Sequence, residues 1–402
     1  MLTSLEPRIT AKREQCAVCK SDQLEVVIEL PDLPLTGLYC TEPVQSLVGG
    51  IDQRLLLCRA CGHAQLAEQV DPAVLYGDSY SFRTSTSPTA RQGSDFFVTF
   101  LNDLAPGQRF ACIVDLGCND LHLLKRLRDR ADLRVGIDPI WASKGHQTDA
   151  EGIAVIGATI EQVDLRSRLD AQPDLILCRH TLEHIYEPRL VLEKLFDVAA
   201  EDALFLFEVP GFEALVRRLR FDQVFHQHLQ YFSLASFRRL FKELRATYIS
   251  HRENYHDWGA VVVAFRKWRG HRDSGEPDSC MLDSTIIRER YTVFRTQMSA
   301  VNDVLRLLEE TTVYGYGAAQ MLPVLAYHLG NDLSFLTAIL DDDPSRDGWY
   351  YQNLVTPIRY TGVITDLELA TVLVTAVDNV KPILTKLLAH RPRHILFPFN
   401  LF

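Results

Sequence analysis

Two Cys-x-x-Cys pairs lie near the start of the chain, Cys16/Cys19 and Cys58/Cys61. The tight turn within each pair directs two thiolates at one point, and four thiolates are a typical ligand set for tetrahedral structural zinc. A unit this small buries too little apolar surface to be stable without such a metal ion. The spacing therefore predicts a zinc module over residues 1–68, in which all four cysteines are ligands and the metal has a structural role.

The 402 residues carry a formal net charge of −10, and 47% of them are hydrophobic. A chain of this length should form two or three domains, and its acidic charge disfavours a mainly electrostatic contact with nucleic acid or an anionic membrane. No apolar run approaches the ~20 residues that span a bilayer, and the N-terminus lacks a signal-peptide core. We therefore expect a soluble cytoplasmic protein whose other cysteines are reduced thiols in apolar surroundings.

From residue 111 onward, short apolar runs alternate with helical patterns. This alternation predicts a parallel α/β sheet with helices on both faces, and two final runs joined by a polar turn predict an antiparallel hairpin at its edge. The parallel strands are expected at 111–116, 133–137, 153–156, 174–177 and 203–209, and the hairpin strands at 247–255 and 259–268. We place this domain at residues 69–268.

A polar segment with Gly and Pro over residues 269–279 predicts a linker. Apolar residues at helical intervals over 285–310 predict an amphipathic connector helix, so that residues 269–310 join two domains. A second α/β unit over residues 311–402 begins with Gly315-x-Gly317.

Polar residues follow several predicted strands of the central domain at their carboxyl ends, where open α/β sheets bind ligands. Gly117 would let a ligand approach the backbone, and Asp138 could accept hydrogen bonds from both hydroxyls of a ribose. Arg179, His180 and His184 border the same crevice. Either histidine could instead cap the next helix, which is the interpretation that we favour for His180. The pattern suits an adenosine site.

The segment 222–233 has the pattern D-x-x-F-H-Q-H-x-x-Y-F-S. With the cysteine pairs and the strand-end motifs, it resembles the bacterial deoxysugar C-methyltransferases, which move a methyl group from S-adenosylmethionine to a ring carbon of a nucleotide-linked keto sugar. The resemblance extends over nearly the whole chain. It implies a class I methyltransferase core with a Rossmann-like sheet, the N-terminal zinc module and a C-terminal Rossmann-like lobe. The strand-end motifs that match are Asp115-x-Gly117-x-Asn119-Asp120 and Asp138-Pro139.

The resemblance also implies roles for individual residues. His228 would be the general base, and His184 and Tyr80 would stabilise the oxyanion. Methylation of a carbon next to a ketone requires removal of an α-proton, for which an imidazole is suited. Without the resemblance, His226 and His228 would be ordinary loop residues. The full expected set is His228, His184, Tyr80, Gln227 and His226 at the acceptor, and Asp115, Gly117, Asn119, Asp138, Arg179 and Ser87 at the cofactor.

Three positions depart from the family pattern. Leu121 replaces a glycine near the methionine part of the cofactor, Phe225 replaces a tyrosine and Gln227 replaces a glutamate. The two latter losses leave open whether the acceptor atom is carbon, oxygen or nitrogen. Leu121 supports a different alternative, a decayed core that serves as a binding or scaffold protein.

The glycines of the C-terminal unit, with Asp341 ending its next strand, would suit a dinucleotide. Because the family carries a comparable lobe, we expect instead a structural partner that lines the sugar-nucleotide side of the cleft. The expected activity is C-methylation of a nucleotide-linked keto sugar by a monomer or homodimer. An O- or N-methyltransferase acting on another small molecule, or a scaffold protein, is the alternative.

Overall fold

The computed structural model describes residues 8–75, 83–144, 146–255, 259–267, 282–308 and 311–399. The predicted linker and one predicted site residue, Tyr80, lie outside these ranges, as does Cys280. Among the described residues, no helix combines the length and the apolar character needed to cross a membrane.

The N-terminal module is built on antiparallel strands around the two cysteine pairs. Its elements are β1 (Ile9–Lys12), β2 (Leu24–Leu33), β3 (Tyr39–Cys40), β4 (Ile51–Cys58), β5 (Ala64–Leu66), β6 (Glu68–Val70) and the short helix α1 (Pro72–Leu75). Strands β2, β4 and β5 pair in order in one sheet.

The central domain alternates helices and strands as predicted. Its elements are α2 (Pro88–Leu104), β7 (Phe110–Leu116), α3 (His122–Arg126), β8 (Ala131–Ile137), β9 (His146–Thr148), β10 (Ala154–Ile156), α4 (Leu165–Arg168), β11 (Leu175–Arg179), α5 (Pro188–Val198), β12 (Leu204–Val209), α6 (Phe212–Arg217), β13 (Gln230–Tyr231), α7 (Leu234–Glu243), β14 (Ala246–Asn254) and β15 (Ala260–Lys267).

Eight of these strands form one sheet in the order β14-β15-β12-β11-β7-β8-β10-β9. The five predicted central strands are parallel, and β15 lies antiparallel between β12 and β14, which confirms the predicted hairpin and the class I methyltransferase topology. The short strand β9 pairs antiparallel with β10 at the opposite edge and was not predicted. Because β7 and β11 are neighbours and parallel, their carboxyl ends bring residues 115–121 and 179–184 to one edge.

The C-terminal lobe is a second parallel sheet preceded by the connector helix. Its elements are α8 (Ser284–Arg306), β16 (Val313–Tyr316), α9 (Leu322–Leu329), β17 (Ala338–Asp341), β18 (Tyr350–Tyr351), β19 (Ile358–Tyr360), β20 (Thr371–Val374), α10 (Val380–His390) and β21 (His394–Leu396). The sheet order is β19-β17-β16-β20-β21, and all its pairs are parallel.

Two strand pairs join parts of the chain that are far apart in sequence. Strand β13 of the central domain pairs antiparallel with β5 and forms the edge of the module's sheet. Strand β18 of the C-terminal lobe pairs with β3 of the module. A single apolar cluster also includes residues from all three units, among them Leu55, Phe212, Phe294 and Leu322. The three units therefore share a core.

Candidate functional site

The four predicted zinc ligands lie together. The Sγ atoms of Cys16, Cys19, Cys58 and Cys61 are all within 4.8 Å of one another, and the Cys16–Cys61 and Cys19–Cys58 pairs are each 3.6 Å apart. Backbone N–H groups of Lys20 and Gly62 donate to the carbonyls of Cys16 and Cys58, which closes the turn of each pair. Zinc–sulfur bonds of 2.3 Å in a tetrahedron place the sulfurs about 3.8 Å apart, so this cluster fits zinc.

A large cleft runs along the carboxyl ends of β7, β8 and β11 and has a volume of about 1270 Å³. The module, the central domain and the C-terminal lobe all contribute to its walls, for example through Gln69, Asp138 and Gln320. Ligand pockets commonly have volumes of about 300–1000 Å³, so this cleft has room for a cofactor and an acceptor side by side.

The predicted cofactor residues Asp115, Gly117, Asn119 and Asp138 line one part of the cleft. Gly117 has a left-handed backbone with φ +70°, and a Cβ atom there would lie only 1.9 Å from Thr181 Oγ1. Glycine is therefore the residue that fits against Thr181 at this strand end. Each Asp138 oxygen accepts one backbone N–H, from Asn119 at 2.8 Å and from Ile140 at 2.9 Å. The remaining lone pairs of that carboxylate can accept ribose hydroxyls.

Asp115 is the most deeply buried acid of this group. It is 2% exposed, and burial raises the pKa of its carboxyl group to about 8. Burial also raises the pKa of Asp138, although its backbone hydrogen bonds oppose the shift. A protonated carboxyl group at Asp115 can donate a hydrogen bond, so this position can serve an acceptor atom of a ligand.

Arg179 and Ser87 also line the cleft, but each has structural partners. Arg179 forms an ion pair with buried Glu208 and donates to Ser94 Oγ at 3.0 Å. Ser87 caps the N-terminus of α2, where its hydroxyl accepts the N–H of Ala90 at 3.3 Å. Whether either residue also contacts a cofactor stays a prediction.

His184 and His228 meet at the wall of the cleft, with ring centroids 5.0 Å apart. The Nδ1–H of His184 donates to the backbone carbonyl of Gln227 at 2.7 Å. His228 is 9% exposed, its Nδ1 atom is buried without a hydrogen-bond partner, and its ring lies 4.2 Å from that of Phe225. Burial, with the imidazoles of His184 and His180, holds the pKa of His228 well below its usual range.

His226 is not among the residues that line the cleft, so its contact with the acceptor stays a prediction. Its Nε2 atom donates to the carbonyl of Leu33 at 2.9 Å, and its Nδ1 atom lies 3.4 Å from Gln53 Nε2. Burial lowers the pKa of His226 to about 4. The turn in which the His228 N–H bonds the Phe225 carbonyl rotates the two histidines to different surroundings. His226 therefore anchors this segment to the module.

Gln227 lines the cleft, but its side-chain amide is bound within the protein. Its Oε1 atom accepts hydrogen bonds from Thr36 Oγ1 at 2.9 Å and from Gln320 Nε2 at 2.5 Å. Its Nε2 atom donates to the carbonyl of Leu75 at 3.0 Å. The amide nitrogen has a second N–H, through which Gln227 could still contact an acceptor, so that contact stays a prediction.

Leu121 has a left-handed backbone with φ 67°, which explains why a glycine would suit this position. Its side chain is 1% exposed, belongs to the apolar core beside β8, and is not among the residues that line the cleft. The Leu121 side chain therefore packs in the core instead of lining the cleft, which weakens the argument for a decayed core.

The glycine motif of the C-terminal lobe serves close packing. A Cβ atom at Gly317, where φ is +105°, would lie 2.2 Å from Cβ of Ala376. The carboxylate of Asp341 accepts the backbone N–H groups of Ala318 and Asp343, which ties the following loop together. Residues of this lobe line the cleft, as expected, and include Gln320, Met321, Ala376 and Asp378.

Glu183 lies beside two histidines of the cleft, although it does not line the cleft itself, and the sequence analysis gave it no role. It is 1% exposed, and neither of its carboxylate oxygens has a hydrogen-bond partner. A carboxylate oxygen of Glu183 and one ring nitrogen each of His184 and His228 lie within 4.8 Å of one another. The sequence feature that could have indicated Glu183 is its position between His180 and His184, shortly after a strand end.

Comparisons with known proteins agree with a cofactor site in the central domain and a zinc site in the N-terminal module. Residues 90–251 match a family model described as a methyltransferase domain, and residues 16–76 match one described as a "Putative zinc binding domain". A curated relative is the C-methyltransferase NovU of Streptomyces niveus, which is 27% identical over 264 residues. That match covers 62% of this chain and 60% of NovU.

Two solved structures are also similar to the chain. The N-methyltransferase NodS of Bradyrhizobium japonicum WM9, in complex with S-adenosylhomocysteine, is 12% identical over 49% of this chain and 95% of its own, with a TM-score of 0.35. The plantazolicin methyltransferase BpumL, in complex with a substrate analogue and S-adenosylhomocysteine, is 14% identical over 46% of this chain and 87% of its own, with a TM-score of 0.36.

Proposed function

We propose, from the methyltransferase domain and the zinc-binding domain that this chain carries, that it moves a methyl group from S-adenosylmethionine to a carbon atom of a small-molecule acceptor. The acceptor class that we infer is a nucleotide-linked keto sugar, methylated next to its ketone. The similarity to a C-methyltransferase supports carbon as the acceptor atom. The observation that carries the proposal is a buried imidazole, His228, on the wall of a cleft that also contains a nucleoside-type site.

The residues of the cleft fit the cofactor. Gly117 allows a left-handed backbone packed against Thr181 at the strand end, and Asp138 keeps lone pairs for two hydroxyls. Asp115, Gly117, Asn119 and Asp138 would hold the cofactor. When bound, its sulfonium supplies an electrophilic methyl group, so the remaining work of the protein is to create and align a nucleophilic carbon.

His228 would create that carbon nucleophile. Its depressed pKa keeps the ring neutral at pH 7, so that a lone pair is present to remove the α-proton. The proton moves from the α-carbon to the imidazole, and the electron pair stays on carbon and the adjacent carbonyl. The cleft residues around His228 bury it to 9% exposure, which limits competing transfer from water.

His184 and Tyr80 are the proposed partners of the developing oxyanion. A carbonyl accepts the His184 Nδ1–H, so the neutral ring has only a lone pair at Nε2. His184 can therefore donate to an oxyanion only when it is protonated, whereas the Tyr80 hydroxyl can donate while neutral. Deprotonation would therefore remove either donor as the pH rises, and an imidazolium ordinarily loses its proton at a lower pH than a phenol does.

A second candidate function, methyl transfer to oxygen or nitrogen, is favoured by one observation. Gln227 stands where the resembling family has a glutamate, so the acceptor site lacks that carboxylate, and the amide binds Thr36, Gln320 and Leu75 instead. Heavy-water exchange separates the two functions. If the acceptor atom is carbon, keto-sugar nucleotides incubated in heavy water with the zinc-loaded protein, without methyl donor, should exchange their α-proton for deuterium. Full methyl transfer without such exchange would refute carbon as the acceptor atom.

A further inference from the structure

We propose that Glu183 is a positioning residue that stabilises the imidazolium formed when the His184–His228 pair takes up the substrate proton. This inference rests on the proposed function for its catalytic meaning. It is argued from the cluster of Glu183, His184 and His228. The two histidines line the cleft, whereas Glu183 is not among its lining residues.

The first argument is the burial of an unsatisfied acid. Glu183 is 1% exposed, and both of its carboxylate oxygens are buried without a hydrogen-bond partner. A buried carboxylate needs a donor or an opposite charge nearby, since it is otherwise strongly disfavoured. His180 Nδ1 lies 3.4 Å from Glu183 Oε1 and would be an opposite charge only when that ring is protonated.

The second argument is the placement of hydrogen-bond acceptors. Neutral His184 has its proton on Nδ1, which the Gln227 carbonyl accepts. The Nδ1 atom of His228 is buried and without a partner, and the Gln223 carbonyl favours a proton on the same ring. One carboxylate oxygen of Glu183 and one ring nitrogen of each imidazole thus lie within 4.8 Å of one another. One proton added to either ring would supply a hydrogen-bond donor to the carboxylate.

The groups that surround the cluster act in opposite directions. The imidazoles of His180 and His184, together with burial, disfavour a proton on His228. Apart from Glu183, the rings of Phe225 and Tyr231 pack around His228, and the Cys178 thiol lies near Glu183. In this proposal, a carboxylate at Glu183 opposes them and favours the proton. Because these groups interact, the titration belongs to the cluster rather than to one ring.

The reaction needs this opposing charge. When His228 takes the α-proton, the ring becomes a cation in a site from which water is largely excluded. A carboxylate within about 4–6 Å of a histidine raises its pKa by roughly 1–3 units. The carboxylate therefore makes proton removal more favourable without itself touching the acceptor.

The test compares Glu183→Gln with Glu183→Asp in the zinc-loaded full chain. Both variants change the side chain little in size, but only the aspartate keeps the charge. Glu213→Gln is the matched control, because Glu213 is a largely buried acid of the same domain whose Oε1 accepts the Leu234 N–H at 2.7 Å. Histidine-labelled protein is titrated by NMR between pH 5 and 9, which requires no acceptor.

We expect the apparent pKa of the pair to fall by at least about one unit in Glu183→Gln. It should stay within about half a unit of wild type in Glu183→Asp and Glu213→Gln. Identical titrations of wild type and Glu183→Gln would overturn the inference, as would a wild-type pair that takes up no proton above pH 5. Elemental analysis that finds a second metal ion lost in Glu183→Gln would also overturn it, since a cation would then replace the proton.

This experiment separates the two proposals. A pKa shift in Glu183→Gln combined with no exchange of a substrate α-proton would retain the pairing of Glu183 with the histidines and refute C-methylation. Exchange and methylation with no pKa shift would retain the proposed function and refute the role of Glu183.

Discussion

Thr36 of the zinc module donates its hydroxyl to Oε1 of Gln227 in the central domain, at a distance of 2.9 Å. The same oxygen accepts from Gln320 of the C-terminal lobe, so one amide joins all three units at the cleft.

Gln227→Glu keeps this acceptor but places an oxygen 3.0 Å from the Leu75 carbonyl. We expect a loss of about 1–3 kcal/mol in the free energy of unfolding, measured with urea. Gln297→Glu is the control, because it makes the same change at a more exposed pair, the Gln297 amide and the Pro398 carbonyl. Its free energy of unfolding should fall by less, and equal losses in the two variants would contradict the expectation.

Leu121 combines a strained backbone with a buried side chain. Leu121→Gly should relieve about 1–2 kcal/mol of left-handed strain but lose roughly 3 kcal/mol or more of buried packing, so the protein should become less stable. Affinity for S-adenosylhomocysteine, measured by calorimetry, should change less than about threefold, because the side chain faces the core. Leu333→Gly is the control, since Leu333 is also buried, with φ 58°. A tenfold gain in affinity for Leu121→Gly alone would show that Leu121 obstructs the cleft.

His228 and His226 are expected to respond differently to substitution. His228→Ala should lower turnover by at least about 10²-fold, because it removes the proposed base. His226→Ala should mainly reduce the thermal midpoint, because it removes a hydrogen bond to the Leu33 carbonyl. Turnover is measured per folded molecule, by mass gain of one methyl group. Equal turnover of His228→Ala and wild type would exclude His228 as the base.

The raised pKa of Asp115 predicts a pH dependence of stability. Its carboxyl group has a folded-state pKa of about 8 against an ordinary value of 3.8. The carboxyl group therefore stabilises the folded state fully below pH 3.8. As the pH rises towards 8, this contribution to the free energy of unfolding is lost at up to about 1.4 kcal/mol per pH unit. Asp115→Asn should consequently be more stable relative to wild type at pH 8 than at pH 5, and weaker in binding S-adenosylhomocysteine. A pH-independent stability difference between the two proteins would contradict this assignment.

Zinc removal should disturb the module first. Structural zinc contributes on the order of 10 kcal/mol in small domains, so Cys58→Ser or a chelator should unfold the module and lower the thermal midpoint. Cys40→Ser is the control, because Cys40 lies outside the cluster. It should retain the zinc content of wild type, measured by elemental analysis. Full zinc content in Cys58→Ser would contradict the four-cysteine site.

The sequence predicted those features that depend on local pattern. Cysteine spacing predicted the cluster of four thiols that the structure shows, and the family comparisons and the described sheet confirm the two domain types and the methyltransferase fold. Residues at strand ends, such as Gly117 and Asp138, were found because parallel strands end at one edge of a sheet.

Features that depend on distant residues were not predictable in this way. The partners of Gln227 are separated from it by up to 191 residues, and no local pattern indicates them. His226 and His228 are equivalent in the motif, and only the turn between them determines which ring reaches the cleft. Tyr80 lies outside the described residues, so its role stays a prediction.

The pairing of β13 with β5 has a consequence for any attempt to study the zinc module by itself. A fragment that ends at residue 68 would keep all four metal ligands but lose the strand that covers one side of Ala64–Leu66. Its unpaired backbone amides and carbonyls would form an open edge, which is the feature through which isolated sheets associate with one another. Metal loading alone would therefore yield a self-associating fragment, and a monomeric one would need residues 230–231 supplied in the same polypeptide.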